Sequence, residues 1–162
     1  MSKIKLLILL LISSLIFSCT NNQINYSNQK YSVAYIGGEY DGLVLKNYLT
    51  GSLKNLDIYD AASNYEIQAT IGHSSDLFVT NTDNTSDREK INTRLYVTVK
   101  DQKNDCQIYN GDINVSQFYI YASSDKFLSN QKAVKEIKKD NTETTVKQLI
   151  NELLVNKHKC DE

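Results

Sequence analysis

Two stretches of strict two-residue alternation, a third long strand region and then a run of helical spacing set the fold of this chain. Tyr65-Glu66-Ile67-Gln68-Ala69-Thr70-Ile71 and Thr93-Arg94-Leu95-Tyr96-Val97-Thr98-Val99-Lys100 put apolar and polar side chains on opposite faces, as half-buried strands require. Asp76 to Thr80 prolongs the first strand beyond a bend expected at Gly72, and the polar Asn81 to Asp87 reads as a hairpin tip. Gln107 to Tyr121 is the next strand region, with a bulge expected at Gly111. From Ser124 to about Lys157 the period changes. Phe127, Val134, Ile137, Val146, Leu149, Ile150 and Leu153 share one helical face, and Ser123-Ser124-Asp125 is placed to cap it. The polar Asp140 to Thr145 offers a kink, but one unbroken helix is the preferred reading.

Upstream, Tyr31 to Ile36 is a β-branched and aromatic run stopped by Gly37-Gly38. Leu45, Leu49, Leu53 and Leu56 then form an apolar helical stripe within Leu43 to Leu56, with Asp41 as the expected cap. The class that follows is α+β: a four-stranded sheet with two helices packed on one face, in the order strand, helix, three strands, helix.

The first 18 residues belong to another kind of segment. Lys3 and Lys5 precede an apolar run from Leu6 to Phe17, which is shorter than the roughly 20 residues a membrane span needs. It fits the hydrophobic region of an export signal. The run ends in LIFSCT, which resembles the lipobox of bacterial lipoprotein signals, with Ile16, Ser18 and Cys19 in the positions that matter. That resemblance implies cleavage before Cys19 and acylation of its thiol and new amino terminus. Residues 1–18 are then a signal peptide, 19–30 a polar tether (TNNQINYSNQK follows the cysteine), and 31–162 the domain.

Removing the leader leaves 16 basic against 19 acidic residues. Nucleic acid is excluded as a partner, because its recognition wants a basic domain. With Cys19 assigned to lipid, Cys106 and Cys160 remain. A strand of about 15 residues spans roughly 50 Å, and a returning helix of about 34 residues spans the same. An antiparallel return therefore brings Cys160 to the end where Cys106 sits, and a disulfide is expected there.

Few residues suggest chemistry. Gly72-His73-Ser74-Ser75-Asp76 has the residue types of a hydrolase triad, but a run of five polar residues after a strand reads as a bend. His73, His158, Cys106 and Cys160 lack the spacing of a zinc site. Asp83 to Asp87 has no calcium-loop glycine, and Arg94 stands where the bidentate Glu belongs. Gly37-Gly38 lacks a third glycine for a phosphate cradle. No catalytic residue, metal or cofactor is expected. Tyr109, Phe118, Tyr119 and Tyr121 crowd one strand, either to fill the core or to form a contact surface. Arg88 and Arg94, the only arginines, lie near one hairpin with Lys90. They are read either as a solvated strand edge or as a contact for an anionic headgroup.

The layout as a whole resembles the LPS-assembly lipoprotein family LptE. The likeness covers nearly all of residues 19–162. It is best in TRLYVTVKD from Thr93, in YNGDINVSQFYIYASSDKF from Tyr109, and in AVKEIKKDNTETTVKQLINELL from Ala133. The resemblance implies a non-enzymatic protein, anchored by its acylated N-terminus to the periplasmic side of the outer membrane. Such a protein plugs an LptD-type β-barrel, aids its assembly and contacts lipopolysaccharide. Arg88, Lys90 and Arg94 are the residues to which it assigns that contact, and Thr20 after Cys19 agrees with outer-membrane sorting. Two other readings stay open: an auxiliary lipoprotein of another envelope transport or secretion complex, and a periplasmic ligand-binding or hydrolytic lipoprotein.

Overall fold

The computed structural model describes residues 29–79, 87–120, 126–155 and 160. The leader, Cys19, most of the tether, residues 80–86 of the hairpin tip, the Ser123–Asp125 cap and His158 lie outside the described residues.

The elements are β1 (Tyr31–Gly37), α1 (Glu39–Asn55), β2 (Tyr65–Val79), β3 (Asp87–Asp101), β4 (Cys106–Ile120) and α2 (Phe127–Val155). They form one four-stranded sheet in the order β1-β2-β3-β4, with β1 parallel to β2 and the other pairings antiparallel. The α+β class and element order read from the sequence are those observed. Alternation along β2 and β3 sends Ile67, Ala69, Ile71, Leu95, Val97 and Val99 into the core. There they meet Leu45, Leu49 and Leu53 of α1 and Val146, Leu149 and Leu153 of α2, so both helices cover the same face. The opposite face carries no layer among the described residues.

Several local expectations are corrected. The chain does not bend at Gly72: β2 pairs with β3 residue for residue from Tyr65↔Asp101 to Val79↔Asp87. Fifteen-residue ladders override the turn propensity of Gly-His-Ser-Ser-Asp. The irregularity in β4 falls at Ile108, between the pairs Val99↔Tyr109 and Lys100↔Gln107, and Gly111 pairs regularly with Val97. Gly111 serves another purpose, because a Cβ there would lie 2.0 Å from the Tyr109 hydroxyl. The bare backbone lets the Tyr109 ring lie over it and donate a hydrogen bond to Glu152 of α2.

Asp41 does not cap α1. The N-cap position belongs to Gly38, whose φ of 113° favours glycine, and no side chain among the described residues caps the helix. Asp41 and Glu39 sit in the first turn, where the helix dipole favours negative charge. Leu56 falls just past the last turn and is exposed.

Helix α2 runs unbroken through Asp140 to Thr145. Thr142 and Thr144 donate hydroxyl bonds to the carbonyls of Lys138 and Asp140, so these polar side chains are satisfied within the helix. Its apolar stripe is covered unevenly. Val146, Leu149, Ile150 and Leu153 are buried, Val134 and Ile137 only half so, and Phe127 is 57% exposed.

The 102–105 turn between β3 and β4 is organised by Asp101. Its carboxylate accepts from the Lys103 and Asn104 amides at 2.9 and 3.2 Å and from Asn104 Nδ2 at 2.7 Å. Cys106 opens β4 beside it and is joined to Cys160, with Cα atoms 5.9 Å apart. The bond closes a loop across 54 positions that contains β4 and α2. By loop-closure entropy such a link is worth about 4 kcal/mol. Reduction, or Cys160→Ser, is expected to lower the urea midpoint accordingly; an unchanged midpoint would show that the tail contributes nothing to the fold.

Candidate functional site

The exposed sheet face is built by the other half of the alternation. Crossing β2, β3 and β4, its rows include Thr70–Tyr96–Asp112, Gly72–Arg94–Asn114, Ser74–Asn92–Ser116, Asp76–Lys90–Phe118 and Phe78–Arg88–Ile120. The middle rows are polar and cross-linked. Arg94 Nε donates to both Asp112 carboxylate oxygens at 2.9 Å, a second nitrogen of its guanidinium adds to the pair, and its plane stacks 4.5 Å from the Tyr96 ring. The Arg94 hydrogen bonds hold the Asp112 carboxyl below its usual range, and Asp112 in turn raises Arg94. Asn92 Nδ2 donates to Asp76 at 2.6 Å.

Toward the end that leads to residues 80–86 the face changes character. Phe78 and Phe118 contact each other at 6.0 Å between ring centroids, and Lys90 Nζ lies 5.7 Å over the Phe118 ring. Ile120 is 72% exposed. Arg88 is exposed, between Phe78 and Ile120 in its row, and makes no ion pair among the described residues. Of the three basic residues singled out in the sequence, the structure places Arg88 and Lys90 in one apolar–basic patch and gives Arg94 to Asp112. The partners Phe78 and Ile120 were missed. The alternation that sends Arg88 outward sends them outward too, once the pairing register is known.

The strand-4 aromatics divide by the same rule. Tyr109 and Tyr119 lie on the helix side, where Tyr119 donates to Glu89, while Phe118 lies on the open side. Burial and the Glu152 bond push the Tyr109 hydroxyl well above the usual phenol range.

His73 is not in a bend. It lies within β2 with its side chain 1% exposed, facing the helices. Its Nδ1 is 2.7 Å from Thr93 Oγ1, which accepts from Asn141 Nδ2 of α2 at 3.0 Å. Asn141 also donates to the Ile91 carbonyl at 3.3 Å, which fixes the orientation of its amide. His73 Nδ1 and the Thr93 hydroxyl thus share one hydrogen bond, and Nε2 faces Asp41 Oδ2 at 3.8 Å. Ser74 points to the opposite face, so a hydrolase triad is not assembled here. Asn141 Oδ1 is buried without a partner among the described residues. Asp101, Cys106 and Cys160 lie within 4.8 Å of one another, but both sulfurs are bonded and the carboxylate holds the turn.

With this geometry in view, comparison with known proteins is informative at the level of fold. No protein-family model and no curated protein matches the chain. Solved structures do. A minor lipoprotein from Acinetobacter baumannii aligns with a TM-score of 0.62 at 12% identity, covering 85% of this chain and 98% of that one. The rare lipoprotein B from Shewanella oneidensis gives 0.60 at 9% identity, covering 77% and 92%. A lipoprotein B from Nitrosomonas europaea gives 0.60 at 10% identity, covering 78% and 82%. The chain has the fold of these bacterial lipoproteins.

The buried histidine generates a test. Burial lowers the His73 pKa below the ordinary 6.5; Asp41 opposes that shift and Lys138 adds to it. The unfolded chain thus takes up the proton first, and the stability held above the unfolded value is lost as pH falls toward the folded one. The unfolding free energy should fall as the pH drops through the ordinary histidine value of 6.5, and His73→Gln should flatten that fall. Equal slopes in urea titrations of the two proteins would contradict the buried, neutral ring.

Proposed function

We propose that this chain is a lipid-anchored envelope protein that acts by docking rather than by catalysis. In this reading it seats its open sheet face in the polar lumen of an LptD-type outer-membrane β-barrel and works with it in lipopolysaccharide assembly. The observation that carries the reading is the open face itself: fifteen-residue strands present a full polar and aromatic surface that the domain's own helices leave bare. A barrel lumen is polar, so such a surface suits it better than it suits lipid. The LIFSCT leader and the shared fold of bacterial lipoproteins support the envelope location. Arg88 and Lys90, set among Phe78, Phe118 and Ile120, match the mixed anionic and apolar chemistry of lipopolysaccharide.

β1 enters the sheet at the disulfide end, where Tyr31 pairs with Tyr65 and Tyr65 with Asp101. The apolar–basic patch lies at the other end, about 48 Å away along β2 at ~3.4 Å per residue. The tether therefore joins the domain at the end opposite the patch.

Affinity capture of the intact protein from detergent-solubilised membranes tests the reading. A stoichiometric outer-membrane barrel is the expected companion, lost when Tyr96 and Asn114 are replaced by glutamate. Capture of an inner-membrane transporter in its place would favour an auxiliary lipoprotein of another complex. Cys19→Ala should abolish incorporation of labelled palmitate; retained label would remove the anchor from the account.

A further inference from the structure

The two edges of the sheet are not alike. β1 is seven residues long and its pairing with β2 slips between Val33 and Ile36, so it offers a short and irregular rim. β4 runs for fifteen residues, pairs with β3 on one side and has no strand on the other among the described residues. About half of its backbone N–H and C=O groups therefore point away from the sheet. Strand edges in natural proteins are blunted by lysine, proline, bulges or brevity, because an unblunted edge pairs with another chain. β4 has no proline, lysine or arginine, and its irregularity falls near its start, at Ile108. Its one charged residue, Asp112, is held by Arg94 within the same sheet. Helix α2 does not close the edge either, since Tyr109, Val115, Gln117 and Tyr119 on the helix side are only half-buried.

What the strand carries decides what can pair with it. A closed barrel wall has no free edge to give, and lipid tails bring no backbone partners. A charged segment finds no unpaired charge on β4 to select it. The strand does match itself. Turned end for end about Asn114, it sets Ile113 against Val115 and Tyr109 against Tyr119 on the helix side, each pair twice by symmetry. On the open side Asn114 meets its own copy, and the Asp112 carboxylate meets the Ser116 hydroxyl. An axis at Ile113 would waste Val115 on Gly111 and Tyr109 on Gln117, and one at Asp112 would oppose two carboxylates. Pairing from Tyr109 to Tyr119 forms about ten main-chain hydrogen bonds, as many as an ordinary protein interface carries.

We propose that the β4 edge is a self-association surface, at which a second copy of this chain adds its own β4 antiparallel in the register centred on Asn114. The two-fold axis stands perpendicular to the sheet. The two sheets then join as one of eight strands, with both helix layers on one side and both open faces on the other. The pairing uses backbone groups at the edge and leaves the side chains of the open face free, so the fate of one surface is separable from that of the other.

The test is sedimentation equilibrium of the purified full-length chain in detergent, with no barrel and no lipopolysaccharide in the sample. A mass of two chains that dissociates on dilution is expected. Asn114→Lys sets two ammonium groups face to face across the axis and should raise the dissociation constant about fivefold. Circular dichroism and the urea midpoint of the variant establish that it folds. Cross-linking gives a second readout that does not depend on that variant. Asn114→Cys should be joined to its copy by a short bis-maleimide, whereas Asn110→Cys, whose two copies stand about 27 Å apart in this register, should not. A chain that stays monomeric throughout overturns the proposal and leaves the edge to a foreign strand. So does a dimer that cross-links equally at both positions or is indifferent to Asn114→Lys, because it would be built on another surface.

Discussion

The continuous ladder between β2 and β3 is the constraint on which the rest of the molecule depends. Each residue from Tyr65 to Val79 has one partner from Asp101 to Asp87, with no slip or bulge. Because the side-chain period is two, that single register decides both faces at once. It drives Ile67, Ala69, Ile71, Leu95, Val97 and Val99 under the helices and sends Arg88, Lys90, Arg94 and Tyr96 outward. A slip of one residue would exchange the core for the open face.

The two ends of this ladder are managed differently. At one end Asp101 folds the 102–105 turn, the disulfide ties the tail to β4, and Tyr31 is buried beneath α2 with its hydroxyl pKa pushed up to about 12. Toward the other end the core becomes polar. Asn141, Thr93 and His73 link α2 to β3 and β2 where Val146 and Leu149 do the same by apolar contact one and two turns on. The seam between sheet and α2 thus runs from dry to polar to open.

Much of this was legible in the sequence because it is periodic. The strands around Ile67 and Val97, the Leu45–Leu49–Leu53 stripe and the helix through Asp140 to Thr145 all follow from spacing. The misreadings came where local chemistry and tertiary context disagree. Gly72 to Asp76 has the composition of a bend, yet a paired strand on its flank holds it extended. Gly111 looks like a bulge, but its missing side chain makes room for Tyr109. Asp41 looks like a cap, yet it lies within the first turn of the helix and faces a histidine 32 positions away in the chain. Within the candidate site, Arg88 and Lys90 could be picked out as rare or clustered charges. That Arg94 is consumed by Asp112 could not, since the pairing of β3 with β4 sets that contact.

The central claim is that the open sheet face is covered in the cell. Ser116→Cys lies in the middle of that face, and Gln148→Cys lies exposed on α2 away from it. A bulky maleimide applied to the isolated chain should label both at similar rates. In intact outer membranes the account predicts that Ser116→Cys is protected while Gln148→Cys still reacts. Equal labelling of the two positions in membranes would contradict it.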